Sequence, residues 1–272
     1  MKVANAKLDV VLVADPQDLA RATSELFIND ALKSVGSRGA CYAAISRCIP
    51  SAFFEILGSQ PQSKGLPWHR IHLFWVDECC GSPDLRPSNY TKPDSTLISK
   101  IGIPGENVHR ICSEHSNCEY VAAVYEQTIR QVVTLKKNGV PRFDVIMLAM
   151  GTDGHIASLF PDTYAFFETE DLVRVSYFMD SRRTRITLTN PVLCAALHIA
   201  VLVSGEAKAV IFRKVLTTAP DEVRYPVHTI WPVLDRVTWL VDRQAMGLLR
   251  PRPLRNGPVP KGLRSERFYP RL

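Results

Sequence analysis

The sequence predicts a three-layer α/β fold with a mainly parallel β-sheet. Short apolar runs rich in β-branched residues alternate along the chain with longer segments whose apolar residues recur at helical spacing, which is typical of βα units. The chain has 272 residues, of which 46% are hydrophobic and 22% charged, so it can bury a core of this kind. The crossovers between parallel strands are expected to be right-handed.

The first half of the chain contains three predicted strands and three predicted helices. The strands are 9–14 (DVVLVA), 40–45 and 69–78 (HRIHLFWVDE), and the last of these ends in two carboxylates. Asp15-Pro16 begins a helical pattern that continues to residue 33, and Pro50 begins a second helix, PSAFFEIL. A third helix is expected after Ser88-Asn89, and Pro104-Gly105 is typical of a turn.

The second half of the chain continues this alternation. A strongly helical segment, 114–137, precedes a buried strand at 143–150 (FDVIMLAM), and another helix is expected at 206–217. The remaining predicted strands are 185–189 (RITLT), 197–205 (LHIAVLVSG) and 237–242 (VTWLVD). No internal repeat or linker divides these elements, so residues 1–247 are interpreted as one domain and 248–272 as a C-terminal tail.

The positive charge of the chain is concentrated in the tail. Residues 248–272 hold six arginines, one lysine and five prolines against one glutamate, so the tail alone accounts for the formal net charge of +6. The body sums to zero and is therefore not expected to bind nucleic acid. The tail is interpreted as an extended solubilising or packing segment, with an arm that contacts an acidic partner or RNA as the alternative.

Apolar runs and cysteines indicate the compartment. The run VVLVA between Asp9 and Asp15 is too short for a signal-peptide core, and LCAALHIAVLV is too short to span a membrane. The protein is therefore expected in the cytoplasm, with no membrane partner. Its seven cysteines form no CxxC pair and are expected to be free thiols. No metal and no cofactor are expected, and nothing in the sequence indicates an oligomeric state.

The stretch MLAMGTDGHIASLFP (147–161) holds the best candidate site. Gly151, Asp153, Gly154 and His155 follow a predicted buried strand, and ligands of open α/β sheets bind beyond the carboxyl ends of strands. A histidine can take a proton from water, an aspartate can orient the imidazole, and glycines permit a tight turn. The apolar residues after His155 are expected to begin a helix. A turn with a hydrogen-bonded histidine and no catalytic role is the alternative.

Two other segments are expected to meet this loop. WVDE (75–78) and SGEAK (204–208) also follow predicted strands. Because parallel strands end at the same edge of a sheet, the three segments are expected to line one crevice.

Four segments resemble the motifs of one enzyme family, in the same order along the chain. GTDGHIASLFP resembles GxDGHxASLFP, the signature of the 6-phosphogluconolactonases. FWVDE with SNY (74–78, 88–90), RITLT followed by SGEAKA, and YPVHTIWP with TWLVD (225–242) resemble the family's other blocks. The similarity covers roughly residues 8 to 247, which is nearly the whole chain apart from the tail.

The resemblance implies a Rossmann-like (NagB-like) domain and a cytosolic, metal-independent esterase. Such an enzyme hydrolyses a sugar-phosphate lactone, 6-phospho-D-glucono-1,5-lactone, to 6-phosphogluconate in the pentose phosphate pathway. Carried onto this sequence, the resemblance implies that His155 is the general base and that Asp153 supports it. It implies that the pocket is lined by Asp77, Asn89, Gly151 and Gly154. It also implies that Arg185 and Lys208 lie near the phosphate of the substrate.

Two segments depart from the family pattern. ISRCIP (45–50) stands where the family has an SGGSTP-like loop, so Ser46 and Arg47 replace glycines that admit a phosphate to backbone N–H groups. Cys79 stands where the family's VDER motif has arginine. Arg47 is the candidate replacement for the lost phosphate contacts.

These departures leave two alternatives to an active lactonase. The first is a family member with lost or altered activity that binds a sugar phosphate or a protein partner. The second is an amino-sugar-phosphate deaminase, which is disfavoured because deaminases continue DGHIA with an FNEP-like segment where this chain has SLFP.

Overall fold

A computed structural model describes most of the chain. The described residues are 8–46, 49–59, 61–80, 98, 100–112, 114–161, 163–177 and 184–249. Predictions made for Arg47, for Asn89 and the helix after it, and for the tail from residue 250 onward lie outside the described residues.

A parallel central sheet confirms the predicted fold class. The strands are β1 (Asp9–Val13), β2 (Cys41–Ile45), β3 (Ile71–Trp75), β4 (Asp77–Cys80), β5 (Val108–His109), β6 (Lys136–Lys137), β7 (Val140–Pro141), β8 (Val145–Ala149), β9 (Val173–Tyr177), β10 (Thr184–Leu188), β11 (His198–Val203) and β12 (Val237–Asp242). Seven of them form the central sheet in the order β1-β12-β11-β8-β2-β3-β5. Every neighbouring pair in this sheet is parallel, so all carboxyl ends lie at one edge.

In the described part of the chain, helices lie between the strands and one short helix follows the last strand. They are α1 (Pro16–Arg38), α2 (Ser51–Ser59), α3 (Pro61–Lys64), α4 (Cys118–Val132), α5 (Asn190–Ala195), α6 (Ala209–Thr217) and α7 (Arg243–Met246). The Asp15 side chain accepts a hydrogen bond from Asp18 N at the start of α1, and Gly39 ends that helix with φ +83°. None of the described helices is long and apolar enough to cross a membrane.

A second, antiparallel sheet was not predicted. It has the order β4-β10-β9, so the predicted strand 185–189 lies in this sheet and the predicted strand 69–78 divides in two. Val76 stands at the division, where its N–H donates to Ile45 O at 3.1 Å and its carbonyl accepts from Leu188 N at 2.8 Å. The backbone of this residue therefore joins the two sheets.

The predicted helix 114–137 is shorter than expected. It runs from Cys118 to Val132, with the Asn117 side chain accepting from Tyr120 N. The residues beyond it form the hairpin β6-β7 instead. Asn138 and Gly139 turn this hairpin with φ of +52° and +83°, as the central residues of a type I′ turn require.

The expectation that all cysteines are free thiols is wrong for one pair. Cys80 on β4 and Cys118 at the start of α4 form a disulfide, with their Cα atoms 5.9 Å apart, inside the usual range. Neighbouring residues of a strand point to opposite faces, so Cys80 faces α4 while Cys79 faces the other side of the sheet. The free cysteines of the described residues are Cys41, Cys79, Cys112 and Cys194.

A pair of histidines on β3 and β5 predicts a loss of stability in acid. His72 Nδ1 and His109 Nε2 are 3.0 Å apart, and His109 stacks on Phe74 with ring centroids 4.3 Å apart. Burial lowers the pKa of His72, and burial together with the neighbouring His72 lowers the pKa of His109 to about 4. In the unfolded chain a histidine takes up its proton near pH 6.5, roughly its reference pKa. The folded protein therefore gains stability from the neutral histidines above about pH 6.5. This contribution to the free energy of unfolding is lost as the pH falls from about 6.5 to about 4.

The variant His109→Phe keeps an aromatic ring against Phe74 and removes the titrating group. Its free energy of unfolding is expected to fall less steeply than that of the wild type between these pH values. Urea unfolding at several pH values measures both slopes. Parallel curves would show that His109 makes no contribution to the acid loss.

Candidate functional site

The loop that carries His155 is closed by its own backbone at the carboxyl end of β8. Gly151 N donates to His155 O at 2.8 Å, and Gly154 N donates to Gly151 O at 3.2 Å. Gly154 has φ +87° and lies against Tyr225. The loop begins at Met150, whose N–H donates to Leu202 O at 3.0 Å on the neighbouring strand β11. His155 is therefore fixed to the central sheet.

Asp153 determines which nitrogen of the His155 imidazole carries the proton. Its Oδ1 lies 2.5 Å from His155 Nδ1 and also accepts from the backbone N–H of His155 at 3.1 Å. Burial raises the pKa of Asp153, but the hydrogen bonds and charge of His155 outweigh this effect, and the net pKa is lowered. An ionised carboxylate can only accept, so Nδ1 carries a proton and Nε2 is the nitrogen left to act as a base.

The side chain of His155 is shielded but accessible. It is 22% exposed, and the Phe160 ring lies against it with centroids 4.2 Å apart. Gly151 lies so close to this ring that a Cβ added there would overlap the imidazole and stand 2.7 Å from Asp153 Oδ1. Any side chain at position 151 would therefore displace the histidine.

The expectation of a helix after His155 is wrong. Ile156 and Leu159 form an isolated bridge around a turn, and Ala157 in that turn has φ +54°. This left-handed conformation costs about 1–2 kcal/mol for a residue other than glycine, so the surrounding contacts must stabilise it. Ser158, the next residue, makes those contacts.

An ion pair between Asp77 and Arg185 is joined to the His155 loop through Ser158. The guanidinium of Arg185 donates to Asp77, to the Ser158 hydroxyl and, at 3.1 Å, to Cys79 Sγ. The Ser158 hydroxyl donates to Asp77 Oδ2 at 2.8 Å. The side chains of Asp77 and Arg185 are 3% and 14% exposed. Asp77 and Arg185 were both predicted for the pocket. In the structure both contact Ser158, which follows His155 by three positions in the chain.

Three polar residues that the sequence did not indicate as site residues support this cluster. Ser158 N donates to the Thr187 hydroxyl at 3.0 Å, and the buried Ser46 hydroxyl donates to Asp77 Oδ1 at 3.3 Å. Ser158 lies inside the motif GTDGHIASLFP, and Thr187 lies inside RITLT, two residues after Arg185. These positions inside family motifs are the sequence signal that could have identified both as site residues. Ser46 replaces a family glycine, and its side chain contacts Asp77.

Lys208 lies on the next loop along the same edge. It ends the short 3₁₀ turn Glu206–Lys208 after β11, and β11 is the neighbour of β8 in the sheet. The side chain is half-buried. The predicted convergence of the segments after β3, β8 and β11 therefore agrees with the strand order. Within the described ranges, no group of three or more histidine, cysteine, aspartate or glutamate side chains could hold a metal ion.

Comparison with known proteins assigns the family. Residues 14–239 match the family model of glucosamine-6-phosphate isomerases/6-phosphogluconolactonase. The chain belongs to this family. A 6-phosphogluconolactonase of Nostoc sp. is 30% identical over 240 residues, covering 88% of this chain and 97% of the relative. A 6-phosphogluconolactonase of Haemophilus influenzae is 34% identical over 200 residues, covering 74% of this chain and 83% of the relative.

Solved structures of the family share the architecture. The crystal structure of a protein called devB superposes with a TM-score of 0.76 at 32% identity, covering 88% of this chain and 98% of that one. A Trypanosoma brucei 6-phosphogluconolactonase gives a TM-score of 0.78 at 23% identity, covering 90% and 99%. A monomeric glucosamine-6-phosphate deaminase gives 0.73 at 19%, covering 89% and 100%. The last two comparisons concern the fold alone.

Proposed function

We propose that this protein hydrolyses 6-phospho-D-glucono-1,5-lactone to 6-phosphogluconate with His155 as general base. The contact that carries the proposal is the one of 2.5 Å between His155 Nδ1 and Asp153 Oδ1. It leaves Nε2 as the basic nitrogen at the carboxyl edge of the sheet. Membership of a family whose relatives are named 6-phosphogluconolactonases supports the choice of substrate.

The chemistry needs one proton carrier. Nε2 of His155 takes a proton from water while the water oxygen attacks the lactone carbonyl carbon. The ring C–O bond then breaks, and the imidazolium returns the proton to the departing ring oxygen. Asp153 keeps its negative charge throughout and stabilises the imidazolium. A six-membered lactone is already activated, and a positioned base contributes about 10²–10⁴-fold to such a step.

The phosphate lies away from the reacting carbon and serves to position the substrate. Lys208 on the neighbouring loop supplies a cation suited to it. The charge of Arg185 is balanced by Asp77, so we assign Arg185 to the shape of the pocket wall. The roles predicted for Arg47 and Asn89 stay predictions.

We place this reaction in the pentose phosphate pathway of the cytoplasm, where the family resemblance puts it. Residues 1–247 form the catalytic domain in this proposal, and residues 248–272 are the basic tail that follows it.

An enzymatic assay tests the proposal. The lactone is generated from glucose 6-phosphate by its dehydrogenase at neutral pH, and its disappearance is followed with and without the protein. Hydrolysis well above the rate in buffer is expected. A rate equal to that in buffer, with folded protein present, would refute the enzymatic function.

A sugar-phosphate binding protein without turnover is the second candidate. The observation that speaks against turnover is the cysteine at position 79, which stands where the family motif has an arginine. In that case calorimetry with 6-phosphogluconate gives a binding isotherm while the assay shows no hydrolysis. Absence of heat at millimolar ligand would exclude a retained sugar-phosphate pocket.

The variant Gly151→Ala is expected to lose activity because of the overlap between its Cβ and the imidazole. Displacement of the base should reduce kcat by about 10²–10⁴-fold, as its removal would. Steady-state kinetics measure this loss. Gly36→Ala in α1 is the control, since no atom beyond the chain neighbours and the backbone of its own helix lies within 4 Å of the added Cβ there. Normal kcat in Gly151→Ala would show that His155 tolerates displacement and is not the base.

A further inference from the structure

The buried carboxylate of Asp242 holds the loop that leads to Lys208. Asp242 ends β12 and is fully buried. Its Oδ2 accepts from the Ser204 hydroxyl at 2.6 Å and from Gly205 N at 2.9 Å. Its Oδ1 accepts from Ala245 N at 2.8 Å and thereby caps α7. One side chain thus fixes the chain leaving β11 to the end of β12.

Gly205 is the point at which this loop changes direction. Its φ of +89° and ψ of +151° lie in a region that essentially only glycine adopts. Its carbonyl accepts from Lys208 N at 3.1 Å, which closes the 3₁₀ turn that ends at Lys208. A glycine is free to leave such a conformation, so the contacts of its N–H with Asp242 select the direction of the turn.

We propose that Asp242 is a positioning residue that sets the location of Lys208 for a phosphorylated ligand. The inference rests on the proposed function only for the identity of that ligand. Asp242 acts through the Ser204–Gly205 backbone and does not itself touch the substrate. Its effect should therefore appear in the affinity for the phosphate group rather than in the proton transfer at His155, which lies on a different loop.

The number of donors explains why this position requires a carboxylate. Ser204, Gly205 and Ala245 each present a donor to the two oxygens of Asp242. Asparagine has the same shape but only one acceptor oxygen, so in Asp242→Asn an amide N–H group would face one of these donors. The variant therefore disturbs the hydrogen bonds without creating a cavity.

The experiment is a double-mutant cycle between Asp242→Asn and Lys208→Ala, read by calorimetry with 6-phosphogluconate. The Asp242→Asn variant is expected to bind about tenfold more weakly, the effect of losing roughly one hydrogen bond to a charged group. In a protein that already carries Lys208→Ala, adding Asp242→Asn is expected to cause no further loss of affinity, because Asp242 acts on the ligand through Lys208. Equal losses in both backgrounds would overturn the proposal.

Kinetics provide an independent measurement of the same role. If the wild type hydrolyses the lactone, Asp242→Asn should raise KM by a similar factor and leave kcat within about twofold, because uniform binding is lost. A fall in kcat with unchanged KM would contradict the positioning role. If the wild type binds 6-phosphogluconate without hydrolysing the lactone, the proposed function fails while the cycle still decides the role of Asp242. If it binds no 6-phosphogluconate, the positioning proposal is overturned.

Two further variants separate positioning from folding. Ser204→Ala removes one donor and leaves the capping of α7 intact, so a smaller loss of affinity in the same direction is expected. Asp144→Asn alters another buried carboxylate, which accepts from Tyr42 N at 2.7 Å next to the amino end of β8. This control should lower the thermal unfolding midpoint without changing affinity. A loss of affinity in Asp144→Asn equal to that in Asp242→Asn would assign the effect to general destabilisation.

Discussion

Replacement of His155 by glutamine is expected to lower kcat for lactone hydrolysis by about 10²–10⁴-fold, the usual contribution of a positioned general base. Glutamine can still accept from water but cannot carry the proton to the ring oxygen. KM should change little, because the imidazole acts on the reacting centre and not on the phosphate. Steady-state kinetics with the enzymatically generated lactone measure both parameters.

The chain offers a matched control at the opposite edge of the same sheet. His198 begins β11, with its Nδ1 2.6 Å from Asp30 Oδ2 and its Nε2 3.0 Å from the Thr238 hydroxyl. It therefore has the same carboxylate partner chemistry as His155 but lies at the amino ends of the strands. His198→Gln is expected to reduce stability and to keep kcat. If His155→Gln were as active as the wild type, another residue would have to serve as the base.

The central sheet could be predicted because each of its long strands has a local signal. Runs such as VIMLA in β8 and HIAVLV in β11 are almost entirely buried, and continuous apolar runs between helical segments favour parallel strands with helices on both faces. The division of 69–78 had no such signal. Val76 is buried, as are Trp75 and Asp77 on either side of it, and only its hydrogen-bond partners change, from β2 to β10.

The missed hairpin had a signal that the helical pattern obscured. Asn138-Gly139 is a strong indication of a two-residue hairpin turn, but the helical pattern of the preceding segment predicts a helix that continues to residue 137. The disulfide between Cys80 and Cys118 had no signal of this kind. Its partners are 38 residues apart, and only the packing of α4 against the second sheet brings them together.

In the candidate site, too, contacts within one loop could be predicted from the sequence, whereas contacts between distant segments could not. His155 and Asp153 could be predicted as a pair because they are two residues apart in one loop. The contact of Asp77 with Arg185 spans 108 positions, and its contact with Ser158 spans 81. Sequence motifs indicated Asp77 and Arg185 as site residues, but their mutual neutralisation appears only when β4 and β10 are paired.

The two described departures from the family pattern meet at this ion pair. Ser46, in place of a glycine, donates to Asp77, and Cys79, in place of an arginine, accepts from Arg185. Ser46 and Cys79 belong to different motifs of the sequence. In the structure one contacts Asp77 and the other contacts Arg185. Side chains at these positions therefore contribute hydrogen bonds to the pocket wall.

The ion pair itself gives the largest expected effect on stability. Arg185→Gln would leave Asp77 buried without its cation, which typically costs about 3–5 kcal/mol in the free energy of unfolding. For a domain of this size each kcal/mol lowers the thermal midpoint by roughly 2–4 °C. Activity should fall as well, because Ser158 and the turn after His155 lose the guanidinium to which they are joined. Thermal and urea unfolding, followed by kinetics on the folded fraction, measure both effects.

A double variant distinguishes the ion pair from simple packing. Asp77→Asn combined with Arg185→Gln removes both charges, so it should recover much of the stability lost in either single variant while remaining poorly active. Arg110→Gln is the surface control, since the Arg110–Glu114 pair has side chains 37% and 47% exposed and should contribute less than about 1 kcal/mol. Losses that simply add in the double variant would mean that Asp77 and Arg185 do not stabilise each other. The hydrogen bonds of Ser158 to Asp77 and Thr187 would then be the main support of the turn after His155.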